Sequence, residues 1–227
     1  MYLVLTVAAD LSHVSQRDHH NFPREWQTAL MDRFVAQITE EGLGIISKND
    51  TSRDYCEWRG LTCTGGKVTR VHYYLKHYGN FYVDSLPPHV QAINIQSCRQ
   101  HYELQTRSLP RALQFCYFDY NLLYGSVDLR TLPESLRRLG LSDNQLHGPI
   151  DLTGLPHRMQ GLWIHSNAIR QSVVFYGSLP PSIQSIKLVE ETNGKNRIGE
   201  LRGLYPPSSA NVRKIFRPFP WKNIVQE

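Results

Sequence analysis

One apolar pattern returns along most of this chain at an almost constant interval, and it constrains the fold more than any other feature. The clearest copy reads L-x-x-L-x-L-x-x-N-x-L, from Leu136 to Leu146. Six copies follow one another at intervals of 22 to 24 residues, starting at Val68, Val90, Leu113, Leu136, Met159 and Ile183. A fixed period of this length predicts stacked coils that share one continuous core, because a single coil cannot bury its own apolar face.

Each part of the pattern has a structural reason. The x-L-x-L-x run alternates in polarity and predicts a short strand, which pairs in parallel with the strand of the next coil. The ninth position, Asn144 in the clearest copy, can bond backbone groups where the chain leaves the strand. Five Leu-Pro pairs recur in register before the copies, at Leu86-Pro87, Leu109-Pro110, Leu132-Pro133, Leu155-Pro156 and Leu179-Pro180. Amphipathic helices are excluded, since each of these prolines would break one.

A second inward set follows the ninth position and predicts the opposite wall of each coil. In one copy this set is Leu146, Ile150 and Leu152. By the same spacing, Val173 and Phe175 should hold these places in the copy that starts at Met159, which carries one extra residue before Leu179.

Period and pattern together resemble the leucine-rich repeat (LRR) family. The resemblance implies an α/β repeat fold, a short right-handed LRR solenoid. Its concave face would be a curved parallel β-sheet, its convex side would be irregular, and a helical cap would cover the N-terminal end.

The region before the repeats predicts such a cap. An amphipathic helix is expected from Pro23 to Glu40, ending at Gly42 or Gly44. Its apolar stripe consists of Trp26, Leu30, Met31, Phe34, Val35 and Ile38.

The motif C-x-W-x-G-L-x-C follows this helix and is similar to the amino-terminal cap of plant-type and protist extracellular LRR proteins. That resemblance implies a disulfide between Cys56 and Cys63. Two buried thiols are the alternative, which a cytosolic protein would favour. Cys98 and Cys116 fall at inward positions of the repeats and are expected to be free core cysteines.

These features divide the chain into four regions. Residues 1–22 form a leader whose apolar start is either part of a secretion signal or a segment that packs on the cap. The N-terminal cap spans 23–67, with its helix and cysteine pair, and the array of about six repeats of ~23 residues spans 68–191. Residues 192–227 would form a degenerate last coil and C-terminal cap, with no clear strand from 192 to 203 and a half-coil at Val212 and Ile215.

The outward side chains of the strands should form the binding face. Large aromatic residues are unusual on a solvated sheet and are typical of recognition surfaces. The candidate ligand-binding residues are Tyr74, Phe115, Tyr117, Asp119, Arg138, Trp163 and His165. The alternative is that the rings pack on one another across neighbouring strands.

Enzymatic chemistry is not indicated. Asp119, Ser142 and His165 occupy one column on consecutive coils, but the carboxylate would lie beside the serine, whereas a catalytic triad needs it beside the histidine. His72 and His77 have no companion ligands at metal-binding spacing. We found no phosphate loop or dinucleotide fingerprint, so no cofactor and no metal site is predicted.

We therefore expect a non-catalytic recognition module that binds a protein, a peptide or a glycan on its concave surface. A structural or assembly subunit that docks through its basic C-terminal region is one alternative, and a fragment of a larger LRR receptor is another. The net charge is +5, without a nucleic-acid motif or an apolar run long enough to cross a membrane. A secreted or cell-surface location follows if Cys56 and Cys63 are oxidised, and a cytoplasmic one if they are free. Oligomeric state is open.

Overall fold

The structure is a computed structural model, and it describes residues 24–49, 53–191, 194–205 and 211–226. The leader at 1–22 lies outside these ranges. The described helices are α1 (Arg24–Phe34), α2 (Glu40–Ser47) and α3 (Val212–Ile215). The strands are β1 (Gln37–Ile38), β2 (Leu61–Thr64), β3 (Lys67–Tyr74), β4 (Gly79–Asn80), β5 (Ala92–Gln96), β6 (Phe115–Tyr117), β7 (Arg138–Gly140), β8 (Gly161–Trp163), β9 (Arg170–Tyr176), β10 (Ser185–Lys187), β11 (Arg197–Gly203) and β12 (Ile224–Gln226).

One sheet runs through the whole array, in the order β10-β8-β7-β6-β5-β3-β2. From β3 to β10 every neighbouring pair is parallel, and the register joins equivalent positions of the repeat, as in Phe115 to Arg138 to Gly161. Only β2 runs antiparallel, as the first arm of a hairpin with β3. The outermost parallel strands, β3 and β10, belong to the copies that start at Val68 and Ile183, and both lie in this sheet.

The repeated apolar positions line a single interior. Leu136, Leu139, Leu141 and Leu146 are buried, as are their counterparts in neighbouring coils. Each Leu-Pro pair precedes a tight turn in which the proline carbonyl oxygen accepts a hydrogen bond from the amide three residues later, for example Val90 on Pro87 at 3.1 Å. This turn returns the chain to the first position of the next repeat, two residues before its strand begins.

The ninth position connects consecutive coils through one side-chain amide. Asn144 Nδ2 donates to the carbonyl oxygens of Phe118 and Leu141 at 2.9 and 3.2 Å, and its Oδ1 accepts from the amide of Leu123 at 3.0 Å. Asn121 and Asn167 make equivalent hydrogen bonds in the neighbouring coils and belong to the same asparagine column. Cys98 takes the same place, with its Sγ 3.5 Å from the carbonyl oxygen of Tyr73.

The last coil is more regular than the sequence indicates. The expectation of no clear strand from 192 to 203 is wrong, because β11 lies at Arg197–Gly203 and pairs in parallel with β9. Asn196 supplies the missing ninth-position amide, donating to the carbonyl oxygens of Ile164 and Leu188 at 2.9 and 2.8 Å. The asparagine therefore lies five residues beyond the place that the repeat spacing gives it, counted from the copy that starts at Ile183, and this shift is why the sequence pattern did not predict β11.

The wall opposite the main sheet also contains a sheet at its C-terminal end, in the order β12-β11-β9. The prediction for its inward residues was wrong by one position: Val174 and Tyr176 are buried, while Phe175 is exposed and Val173 half-buried. The extra residue of this repeat therefore lies between Ile169 and Val174. The Gln171 side chain lies in this stretch and bonds both the amide and the carbonyl of Ile150.

The N-terminal cap is helical, but its helix is shorter than predicted. α1 ends at Phe34 and is followed by β1 and then α2, so the expected helix over 23–40 is two helices with a strand between them. Phe34 and Met31 are buried, whereas Trp26 is exposed and does not belong to the apolar face. The predicted helix end at Gly42 or Gly44 is wrong, because both glycines lie inside α2. Gly42 instead permits close packing, since a Cβ there would lie 2.3 Å from that of Tyr78.

The two cap cysteines are joined, which confirms the predicted disulfide between Cys56 and Cys63. Trp58 between them is buried, with its ring centroid 4.5 Å from that of Tyr55. Cys98 and Cys116 are free and buried, also as predicted.

Candidate functional site

The candidate site consists of the outward side chains of the parallel strands of the main sheet, and we call this surface the concave face. These strands are β3, β5, β6, β7, β8 and β10. All seven predicted ligand-binding residues lie on it or at its edge, since the sheet register aligns their strands. Their exposure differs. Tyr74 is 53% exposed, Phe115, Tyr117, Arg138 and Trp163 are half-buried, and Asp119 and His165 are buried.

Two glycines make room for the central aromatic rings. Gly140 separates Tyr117 from Trp163 in the register of the sheet, and a Cβ on it would lie 2.9 Å from the Tyr117 ring. A Cβ on Gly161 would lie 2.4 Å from the Trp163 ring, which therefore covers the backbone of its own strand. Strand spacing puts the Cα atoms of the two aromatic residues roughly 10 Å apart.

The aromatic residues of the face do not stack on one another. Within the part of the chain that the structure describes, the ring contacts lie elsewhere, and none joins Tyr74, Phe115, Tyr117 and Trp163. Tyr74 is exposed and the other three rings are half-buried, so each keeps a solvent-facing side. The ring contacts of the described residues therefore give no support to cross-strand packing of these four rings.

Asp119 connects coils and has little free surface. Its Oδ1 accepts hydrogen bonds from the amide and the hydroxyl of Ser142 at 2.9 and 2.6 Å, and its Oδ2 accepts from Gln96 Nε2 at 2.7 Å. The serine hydroxyl thus donates to the carboxylate. A catalytic triad would need the hydroxyl to donate to a histidine, and His165 is bonded to another residue.

That residue is Glu190, which the sequence did not single out. His165 Nε2 lies 3.3 Å from Glu190 Oε1, and Lys187 Nζ lies 3.9 Å from the same oxygen. Burial lowers the pKa of His165 and Lys187 lowers it further, so the neutral imidazole is the favoured form near pH 7. The other ring nitrogen of His165, Nδ1, is buried and has no hydrogen-bond partner among the described residues.

A second missed residue, Asp143, completes this corner of the face. It follows Ser142 in the chain, and burial raises its pKa. Oxygen atoms of Asp143 and Glu190 and a ring nitrogen of His165 all lie within 4.8 Å of one another. The signal in the sequence was positional: residues 143 and 190 share the eighth place of their repeats, directly beside the column of His165.

Similarity searches relate the chain to known proteins through structure alone. No family model and no curated protein matches the sequence. The ectodomain of the receptor kinase SOBIR1 from Arabidopsis thaliana matches with a TM-score of 0.52 and 18% identity, over 72% of this chain and 94% of that one. Pollen Receptor Kinase 3 matches with a TM-score of 0.52 and 20% identity, over 75% of this chain and 95% of that one. Both comparisons support the same solenoid fold.

The described residues contain no helix that is both long and apolar enough to cross a membrane.

Proposed function

We propose that this chain, which has the leucine-rich repeat fold, is a non-catalytic recognition module that binds a protein or peptide partner on its concave face. The half-exposed pair of Tyr117 and Trp163 carries the proposal. Both rings are positioned by neighbouring strands and by a glycine beneath them. Rigid aromatic side chains lose little conformational entropy on binding, which is why they dominate many interfaces.

The surroundings of the two rings favour a partner with backbone carbonyls or carboxylates. Arg138 lies between Phe115 and Gly161 in the sheet register, and its guanidinium has no ion-pair partner among the described residues. Lys187 lies beside Trp163 on the next strand. A peptide would gain aromatic contacts from the rings and hydrogen bonds from these cations. A glycan that stacks on the same rings is the other ligand class that this surface fits.

One comparison of tryptophan variants tests the site. Partners captured by the immobilised chain from extracts of its source are identified and purified, and their Kd values are measured. We expect Trp163→Ala to raise Kd at least tenfold, about 1.4 kcal/mol, because it removes a central aromatic contact. Trp26→Ala is the matched control, since this residue is exposed on the cap, and it should leave Kd unchanged. Equal Kd values for the parent and Trp163→Ala would remove the concave face from consideration.

A second candidate function, docking through the basic C-terminal end, has its own structural support. Trp221 is 64% exposed, and the Arg213 guanidinium lies 4.9 Å from the centre of its ring. Lys214, Arg217 and Lys222 are exposed nearby in the chain. Trp221→Ala therefore separates the two functions. Loss of affinity in this variant, with Trp163→Ala unaffected, would favour the assembly subunit over the recognition module.

The disulfide supports a secreted or cell-surface location, because such bonds persist in oxidising compartments. Non-reducing mass spectrometry of the natural protein should find Cys56 joined to Cys63. Free thiols at both positions would place the chain in a reducing compartment instead.

A further inference from the structure

Three side chains from successive coils converge at one edge of the concave face. Asp143 lies three residues beyond the end of β7, His165 lies two beyond β8, and Glu190 lies three beyond β10. Their donor atoms are within 4.8 Å of one another, and His165 Nε2 is 3.3 Å from Glu190 Oε1. Ligands held about 2.0–2.2 Å from a tetrahedral zinc ion lie roughly 3.4 Å apart, so this set needs only small adjustments to surround one.

The state of His165 is a separate observation in favour of a ligand. The residue is only 9% exposed, yet its Nδ1 has no hydrogen-bond partner among the described residues. Buried polar atoms of folded proteins are usually hydrogen-bonded, because leaving one unpaired is destabilising. Among the described residues the only side-chain partner that the structure shows for the ring is the carboxylate of Glu190, on Nε2, so the ring is not committed to hydrogen bonds with the backbone of the coils.

The chemistry of the three donors selects the cation. An imidazole with two carboxylates suits zinc and related transition metals, whereas calcium takes six to eight oxygen ligands and would gain little from a histidine. A neutral imidazole is the form that donates a lone pair. The two carboxylates would balance the charge of a divalent ion, and Lys187 is the one cation that the structure shows in contact with the set.

We propose that Asp143, His165 and Glu190 bind one divalent cation of the zinc class. Three protein ligands leave a fourth position for water or for a donor group of a bound partner. The site is independent of the proposed function, since metal binding requires no partner protein. The alternative is that His165 and Glu190 form a purely structural hydrogen bond between two coils.

Titration with metal alone distinguishes a metal site from a purely structural hydrogen bond. The chelator-treated chain is titrated with zinc chloride in a calorimeter, and with cobalt(II) as a spectroscopic substitute whose visible absorption reports a low-coordinate site. We expect the parent to bind one metal ion at this site. Glu190→Gln or Asp143→Asn should lower the affinity for that ion at least tenfold, since each removes the charge of one ligand. His165→Gln should remove the visible cobalt band.

Matched controls exclude binding at surface residues. The chain contains ten histidines, so the variants and not the stoichiometry of the parent decide the outcome. His157→Gln and Glu134→Gln replace exposed residues of the same types away from the site and should leave affinity unchanged. If His165→Gln fails to fold, the two carboxylate variants decide alone, with thermal unfolding as the check on their structure. A triple variant that binds zinc as tightly as the parent would overturn the proposal.

Discussion

Two columns of buried polar side chains run side by side along this solenoid, and they differ in how completely they are bonded. The ninth-position column includes Asn144 and the seventh-position column includes Asp119 and His165; these residues are 5%, 7% and 9% exposed. Asn144 uses its donors and its acceptor on backbone groups of two coils. His165 has one ring nitrogen that bonds nothing among the described residues.

The fold requires a particular side chain at the ninth position of each repeat, whereas it leaves the seventh position free to vary. Every coil must place the same backbone groups around the ninth position, so the same amide returns in Asn121, Asn144 and Asn167. The seventh position faces outward, and the coil geometry does not prescribe its chemistry. It changes from Gln96 to Asp119 and then to serine and histidine along the array. Variation at buried polar positions therefore marks the part of the chain that is free to acquire a function.

The largest effect is expected from breaking the regular column. Asn144→Ala removes four hydrogen bonds and leaves buried carbonyls of Phe118 and Leu141 without this partner. We expect the free energy of unfolding to fall by about 3 kcal/mol, measured by urea denaturation. Gln145→Ala, at the exposed neighbouring position, is the control and should stay within about 0.5 kcal/mol of the parent. Similar values for the two variants would show that the column does not hold the coils together.

The end of the same column should respond less. Asn196 also makes four hydrogen bonds, donating to Ile164 and Leu188 and accepting from the amides of Asn167 and Ile169. Because a terminal coil can open without the rest of a solenoid, we expect Asn196→Ala to cost about 2 kcal/mol. Amide hydrogen exchange should show faster exchange confined to β11 and the last coil. Uniform loss of protection along the array would mean that the chain unfolds as one unit.

The sequence predicted the regular column well because that column obeys the period. Leu139 and Asn144 were placed from spacing alone, and even Cys98 was placed in the column by its position. Asn196 and β11 escaped because an insertion moved them out of register. For the same reason Val173 was predicted to face inward, where the structure has Val174. Pattern matching locates elements only where each coil has the standard length.

The candidate site was less predictable, because partners across coils depend on rotamers and not on spacing. The repeat spacing places Tyr117 and Trp163 on the outward face of the sheet, because the alternation along a strand is enough to decide which face a side chain takes. It could not show that Asp119 is saturated by Ser142 and Gln96, nor that Glu190 reaches back to a histidine one coil earlier. Those contacts follow from side-chain conformations that the repeat leaves free.

The smallest effect tests whether Asp119 belongs with the structural column after all. Asp119→Asn keeps the shape of the side chain but removes the charge that strengthens its bonds from Ser142 and Gln96. It also replaces one acceptor oxygen by an NH2 donor, so Gln96 must turn its own amide to stay bonded. We expect a loss of about 1 kcal/mol in the free energy of unfolding and little change in the Kd of a concave-face partner. Glu134→Gln, an exposed carboxylate on the same coil stack, should leave both quantities unchanged. If Asp119→Asn instead preserves stability and weakens binding, the carboxylate contacts the ligand. The seventh-position column would then contribute to recognition, and Asp119 would belong to the binding site.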